Sequence, residues 1–244
     1  MSDTRYYDEL EVRDPAEREA DLFERLPECV RNAKDNAPYY TKILKGIDPA
    51  SIVDRAALAK LPVTRKSELV NIQSEGDPLG GMTTMGVGQL ARIFQSPGPT
   101  YDPEGHGEDW WGTARALYAS GFRRGDIMHN TFAYHFTPAG VMLEAGAHAL
   151  GCAVFPAGVG NTELQVQAIH DIKPTGYTGT PSFLKMLLEK AVELGKDASS
   201  LKKACLHRCR HPLSFFLSGW TSKLTDTVFV GIKIGIFCFR AVLT

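Results

Sequence analysis

The sequence predicts an α/β fold: an N-terminal helical region followed by a βαβαβα unit on a parallel sheet. Three observations lead there. Helix-like and strand-like segments alternate from Trp110 to Leu194, and strand, helix, strand in that rhythm implies parallel strands joined by right-handed crossovers. The first 75 residues carry helix signals instead. The chain has 244 residues, 43% hydrophobic and 23% charged, the composition of a soluble globular protein long enough to bury a sizeable core without disulfides or a structural metal.

Asp14-Pro15-Ala16-Glu17 combines an N-cap Asp, a Pro at the first helical position and a Glu that reaches back to the cap. The helix runs to about Lys34, with Leu22, Phe23, Leu26, Cys29, Val30 and Ala33 on one face. Pro27 kinks or divides it, and Ala37-Pro38 ends it. Short helices follow around Tyr39–Leu44 and Arg55–Lys60, and Thr64 caps another within Leu61–Leu69. Gly76 to Gly88 holds five glycines and a proline in thirteen residues and is a loop.

A helix through Trp111, Ala114, Leu117 and Tyr118 ends at Gly121, and Asp126 to Phe132 reads as a buried strand. Pro138 to Leu150 is a helix closed by Gly151, and Cys152 to Phe155 is the next strand. Thr162 as N-cap with Gln165 three residues on starts a helix to about Ile172. Gly176 to Thr180 is the third strand, and Thr180-Pro181 caps the helix from Ser182 to Leu194. Ligands of open α/β sheets sit beyond the carboxyl ends of the strands, so the rim is formed by 132–136, 156–160 and 178–180.

Residues 1–204 hold 27 acidic and 22 basic residues, a net of −5, whereas residues 205–244 hold one acid, Asp226, and five basic residues, a net of +4. The expected organisation is therefore a helical region at 1–75, a partial α/β domain at 76–204 and an atypical tail at 205–244. That tail reads as out of frame, disordered or β-rich, and not as a segment selected to pack on the rest. Its run from Val228 to Thr244 is broken by Lys233 and Arg240, too short and too charged for a comfortable membrane helix.

An overall net charge of −1 and a pI near 6.7 give no basic surplus for phosphate backbones, so small molecules, not nucleic acids or membranes, are the expected partners. The N-terminus lacks the apolar stretch of a signal peptide, and five scattered cysteines read as reduced thiols, which together place the chain in the cytoplasm.

Among motifs, neither a Walker A loop nor G-x-S-x-G is present. Gly158-Val159-Gly160 is half a dinucleotide fingerprint without its third glycine and reads as a tight turn. Glu144 and His148 share a helical face without a third ligand. Cys205, His207, Cys209 and His211, as a strand, spread over about 20 Å and cannot meet at one tetrahedral ion without a turn. No metal site is assigned. Tyr134-His135-Phe136, after the first strand of the unit, is either core packing or the wall of an apolar pocket. Phe94 to Tyr101 is either a plain turn or one that offers N–H groups to a phosphate.

Several segments together resemble the phenylacetate-CoA ligase branch of the AMP-forming acyl-adenylate enzymes. They are Asn36-Ala37-Pro38-Tyr39-Tyr40, Leu61 to Leu69, Gly121-Phe122-Arg123-Arg124-Gly125-Asp126, Phe136-Thr137-Pro138-Ala139-Gly140, Leu150 to Pro156, Gly160 to Gln167 and Thr180 to Leu184, in the family's order over residues 6–204. The resemblance implies the family's N-terminal domain, truncated, and a reaction in which ATP and an aryl-acetic or similar acid give an acyl-adenylate that acylates coenzyme A. It implies ATP, Mg²⁺ and CoA, none held tightly by this part alone. Ser96, Gly98 and Thr100 fall in the family's phosphate loop, although Pro97 and Pro99 lack N–H groups and no lysine ends it. Phe136, with Tyr134 and His135, falls beside the acyl pocket.

The family's adenine-binding segment, its adenylate motif and its small C-terminal domain with the catalytic lysine have no counterpart in the sequence. No catalytic residue transfers, and the expected reading is an inactive N-terminal part of an acid-CoA ligase. The alternative is a non-catalytic module derived from the same fold that holds a small acid, or pairs with another copy through uncovered apolar surface.

Overall fold

Asp14 accepts the N–H of Ala16 at 2.7 Å and opens helix α1 (Pro15–Asn36). The computed structural model of the chain describes residues 5–96, 100–207 and 229–232. Its residues form two compact units, one running through His106 and the other from Gly107 to Gly235.

In the first unit α1 continues through Pro27 and is not divided there. Leu26 and Val30, buried on either side, anchor both neighbouring turns to a core shared with Ala33, Leu44 and Ile52. Helix α2 (Pro38–Ile43) follows at once, and α3 (Arg55–Leu58) is capped by Asp54, which accepts from Ala57 N–H at 2.7 Å. Helix α4 (Lys66–Ser74) starts later than its sequence suggests. Arg65, not Thr64, takes the cap position, and its carbonyl receives the Glu68 N–H at 2.9 Å.

The segment read as a turn belongs to an antiparallel hairpin, β1 (Arg92–Ser96) with β2 (Thr100–Glu104), in a register that sets Ser96 opposite Thr100 and Arg92 opposite Glu104. Gln73 of α4 grips this hairpin with both ends of its amide, donating to Tyr101 O at 2.9 Å and accepting from Tyr101 N–H at 2.8 Å.

The second unit bears out the α/β expectation. Its elements are α5 (Ala114–Ala119), β3 (Ile127–Asn130), α6 (Ala139–Ala149), β4 (Ala153–Pro156), α7 (Thr162–Ile172), β5 (Gly176–Gly179), α8 (Pro181–Glu193), β6 (Lys203–His207) and β7 (Phe229–Ile232). The sheet order is β4-β3-β5-β6-β7, with every neighbouring pair parallel. Val166 and Ile169 of α7, Tyr177 of β5, Leu184, Leu187 and Leu188 of α8 and Leu206 of β6 share one buried cluster.

At the amino ends of the strands the Asp126 carboxylate joins three of them. It accepts from Lys203 Nζ at 2.8 Å, Thr175 Oγ1 at 2.8 Å and Arg123 N–H at 2.6 Å. With the polar ends fixed there, the opposite rim is left for other chemistry.

Four local expectations are corrected. Trp111 lies outside α5, because the Asp109 carboxylate takes the N–H groups of Thr113 and Ala114 at 2.7 and 3.0 Å and starts the helix there. β3 ends at Asn130, two residues early, since the Asn130 side chain accepts the Phe132 N–H at 3.2 Å and turns the chain. The cap of α7 is Asn161, at φ 49°, not Thr162. Gln165 does not reach back to that cap, because it is buried beneath the loop and bonded elsewhere.

Strand β6 crosses the compositional break at 204. Ala204, Cys205 and Leu206 are buried and pair with Tyr177, Thr178 and Gly179. Apolar residues of that short stretch complete the sheet beside β5.

Candidate functional site

The carboxyl ends of β3 and β5 carry polar residues with almost no exposure, unusual for strands covered by helices. Each of these residues has a traceable set of partners.

Asn130 closes β3. Its amide nitrogen donates to the Tyr134 hydroxyl at 2.7 Å and to Gly140 O at 2.9 Å. Its amide oxygen accepts from Phe132 N–H at 3.2 Å and Thr178 Oγ1 at 3.0 Å, and its own carbonyl receives the Gly158 N–H at 3.0 Å. The amide's two donor hydrogens and two acceptor positions are thus all used. Beside it Thr131 donates to the region of Tyr177 Oη and Thr178 O, both 2.9 Å away, and Tyr177 donates to Thr180 O at 3.1 Å. Gly179 fits there because a Cβ would stand 2.0 Å from Thr131 Oγ1 and 2.2 Å from Tyr177 Oη.

The other buried pair is His129 and Gln165. The Gln165 amide nitrogen donates to Gly158 O at 3.0 Å and Gly160 O at 2.7 Å, which turns its oxygen toward His129 Nε2 at 2.9 Å. An amide oxygen only accepts, so Nε2 carries the proton and Nδ1 is bare. Nδ1 is buried without a hydrogen-bond partner among the described residues, and the ring stacks on Phe155 at 5.3 Å between centroids. Burial holds the imidazole below its ordinary pKa, against the opposing pull of Gln165, so it stays neutral.

These contacts shape two loops. After β4, Gly158, Gly160 and Asn161 all adopt positive φ, with the two glycine carbonyls tied to Gln165 and Val159 exposed. After β3, the Thr137 N–H donates to His135 O at 2.8 Å across Phe136, whose φ is 62°. That is a γ-turn of the rare, strained kind, and non-glycine strain of this sort collects where a ligand or switch is served.

The three acyl-pocket candidates are therefore placed differently. Phe136 projects outward, 73% exposed, at the tip of the strained turn. His135 is exposed next to it. Tyr134 turns back into the fold, where burial and the neighbouring Glu144 carboxylate, to which it hydrogen-bonds, raise its pKa. Glu144 thus has a phenol for a partner, and His148 is exposed farther along α6.

In the first unit Ser96 and Thr100 face each other across the hairpin, both buried, and Gly98 lies outside the described residues. Ser96 donates its hydroxyl to the buried Asp102 carboxylate, whose pKa burial pushes up. Thr100 Oγ1 has no hydrogen-bond partner among the described residues. Of the Cys/His series only Cys205 has a described side chain, and burial lifts its thiol to about 11. Among the described residues no three His, Cys, Asp or Glu side chains group as a metal site.

The sequence reading missed His129, Asn130 and Thr131, gave Gln165 only a capping role, and set Thr178 in the rim without a partner. One signal for them existed: His-Asn-Thr in a row within a strand read as buried, where polar residues must be satisfied or useful.

Known proteins are similar in both sequence and fold. Phenylacetate-coenzyme A ligase of Aromatoleum evansii is 36% identical over 184 residues, 72% of this chain and 41% of its own length. The enzymes of that name from Pseudomonas putida and Thermus thermophilus are 32% and 31% identical over 74% and 80% of this chain, covering 42% and 45% of theirs. The chain thus spans about two fifths of the length of these curated relatives. A crystal structure of an open conformation of 2-hydroxyisobutyryl-CoA ligase, in complex with 2-HIB-AMP and CoA, superposes with a TM-score of 0.85 at 22% identity, over 97% of this chain and 58% of that one.

That likeness shows a shared fold. A protein-family model described as "PpoB2: Copper chaperone" matches residues 185–244, a quarter of the chain that includes most of α8 and all of β6. The resemblance to the phenylacetate-CoA ligase branch of the acyl-adenylate enzymes is borne out, over the larger part of the sequence.

Proposed function

We propose that this chain, related in sequence to phenylacetate-CoA ligases, supplies the acid-binding rim and part of the phosphate-binding hairpin of an AMP-forming acid-CoA ligase that acts on phenylacetate or a similar aryl acid. The observation that carries the reading is the 31–36% identity to enzymes of that name over 72–80% of the chain. The site's geometry is compatible: an aromatic side chain held outward beyond the carboxyl ends of a parallel sheet is where such a fold receives a small apolar ligand.

In this reading Phe136 contacts the aryl ring and His135 lies beside it. Tyr134 supports the turn and does not face the acid. In the hairpin Thr100 is the residue suited to phosphate, since its buried hydroxyl is unpaired among the described residues, whereas the Ser96 hydroxyl is committed to Asp102. ATP supplies the leaving group that turns a poorly electrophilic carboxylate into a mixed anhydride, and CoA supplies the accepting thiol. Mg²⁺ would arrive on the phosphate oxygens, a mode that needs few protein ligands.

Isothermal titration of the 244-residue chain with phenylacetate, with and without ATP, tests the reading. Binding that Phe136→Ala weakens at least tenfold supports it, and CoA-thioester synthesis is not expected. Full affinity in Phe136→Ala removes the assigned contact. Phenylacetate binding that ATP neither improves nor alters favours the non-catalytic module.

A further inference from the structure

We propose that Asn130 is the positioning residue for Phe136: one buried amide fastens the loop after β3 at its start, middle and end, and so holds the strained turn that presents the ring. The claim rests on the reading of Phe136 as the acid contact. At the start of the loop Asn130 Oδ1 accepts the Phe132 N–H at 3.2 Å. At its middle Nδ2 donates to Tyr134 Oη at 2.7 Å, and at its end to Gly140 O at 2.9 Å. The far end is tied again by the Gly140 N–H to Ala133 O at 3.1 Å, an approach that a Cβ at Gly140, 2.5 Å from that oxygen, forbids.

Residues 135–137 are thus pushed out between two fixed points, Tyr134 and Gly140. A φ of 62° at a phenylalanine is strained and persists only where its surroundings over-determine it. Asn130 supplies that determination, and Thr178 Oγ1, donating to the same amide oxygen at 3.0 Å, ties it to β5. Tyr134 therefore acts through the turn and does not line the pocket wall.

Tyr134→Phe removes one hydroxyl, and with it the bonds to Asn130 and to Glu144, and leaves the other bonds of Asn130 in place; Glu144→Gln, run beside it, shows what loss of the carboxylate alone does to the turn. Amide hydrogen exchange of the full chain, by mass spectrometry, is the direct readout. The variant should exchange at least fivefold faster within 131–138 while β3, α6 and the melting temperature stay near those of the wild type. Asn130→Asp, which keeps the acceptors and loses the donors, should exchange faster over the same segment.

The phenylacetate dissociation constant should rise about tenfold in Tyr134→Phe, although the phenol itself is not at the ligand. Unchanged exchange at 131–138, or faster exchange spread evenly over the unit, overturns the proposal whatever the ligand does. Lack of phenylacetate binding by the wild type overturns the acid-contact reading and leaves the exchange result to decide the positioning role.

Discussion

Gln165→Leu is the sharpest probe of the buried rim. The side chain serves three partners, His129 Nε2 at 2.9 Å, Gly158 O at 3.0 Å and Gly160 O at 2.7 Å, and leucine serves none. A buried polar group left unpaired costs about 1–3 kcal/mol. The two carbonyls belong to a loop whose Val159 is exposed, so water can take them up at a cost of about 0.5 kcal/mol each. His129 is fully buried, and its N–H, stranded with a bare Nδ1 across the ring, carries about 2 kcal/mol. The sum is about 3 kcal/mol, or about 10 °C in melting temperature for a unit of this size.

Urea denaturation followed by circular dichroism at pH 7.5 measures it. The histidine adds a pH signature. Burial lowers its folded pKa from 6.5, so between the folded value and about 6.5 the unfolded chain binds more protons. The stabilisation is complete above about 6.5 and is lost as pH falls through that window. Because Gln165 opposes the shift, the leucine variant should lose more stability in acid than the wild type. A variant within 1 kcal/mol of wild type at pH 7.5, with a parallel acid profile, refutes the assigned network.

Gly146→Ala gains about 1 kcal/mol of helix propensity, but its Cβ would lie 2.2 Å from Thr113 Oγ1 and 2.7 Å from Ala114 N, so overlap dominates and the second unit should lose about 2 kcal/mol in the same denaturation assay. Asp102→Asn should raise the melting temperature of the first unit at pH 7, because burial disfavours the carboxylate there while the amide oxygen still accepts from Ser96; the difference should shrink as pH falls, since the raised pKa lets the native Asp102 take up its proton before an ordinary carboxylate does. Cys152 and Cys205, with thiols pushed up to about 11 by burial, should resist iodoacetamide at pH 7.5 in the folded chain and react after unfolding in urea, as peptide mass spectrometry reports.

The elements legible in the sequence are those set by local chemistry. Asp14-Pro15 opens α1 and Thr180-Pro181 opens α8 because caps and fixed proline φ act within one turn. The α/β alternation shows because crossover helices leave a regular rhythm in the chain. The hairpin of β1 and β2 escaped because it is held from outside, by Gln73 gripping Tyr101, and its strands carry buried Asp102 and Glu104, which no hydrophobic pattern marks. Strand β6 was hidden by a change of charge statistics at 204, although backbone pairing to β5 is indifferent to net charge.

The site divides along the same line. Phe136 became a candidate by its place after the first strand of the sheet, where position alone marks the rim. Its conformation was not legible, because nothing in Tyr-His-Phe-Thr encodes a positive φ; that arises from Asn130 and Gly140, which lie six residues before and four after. Gln165 was assigned a capping role by its spacing from Thr162, a local rule overridden once His129 offered a buried donor 36 positions away in sequence. Residues that bind are placed by topology, whereas residues that hold them act through contacts distant in sequence. A polar triplet in the middle of a covered strand is the form in which such contacts first become visible.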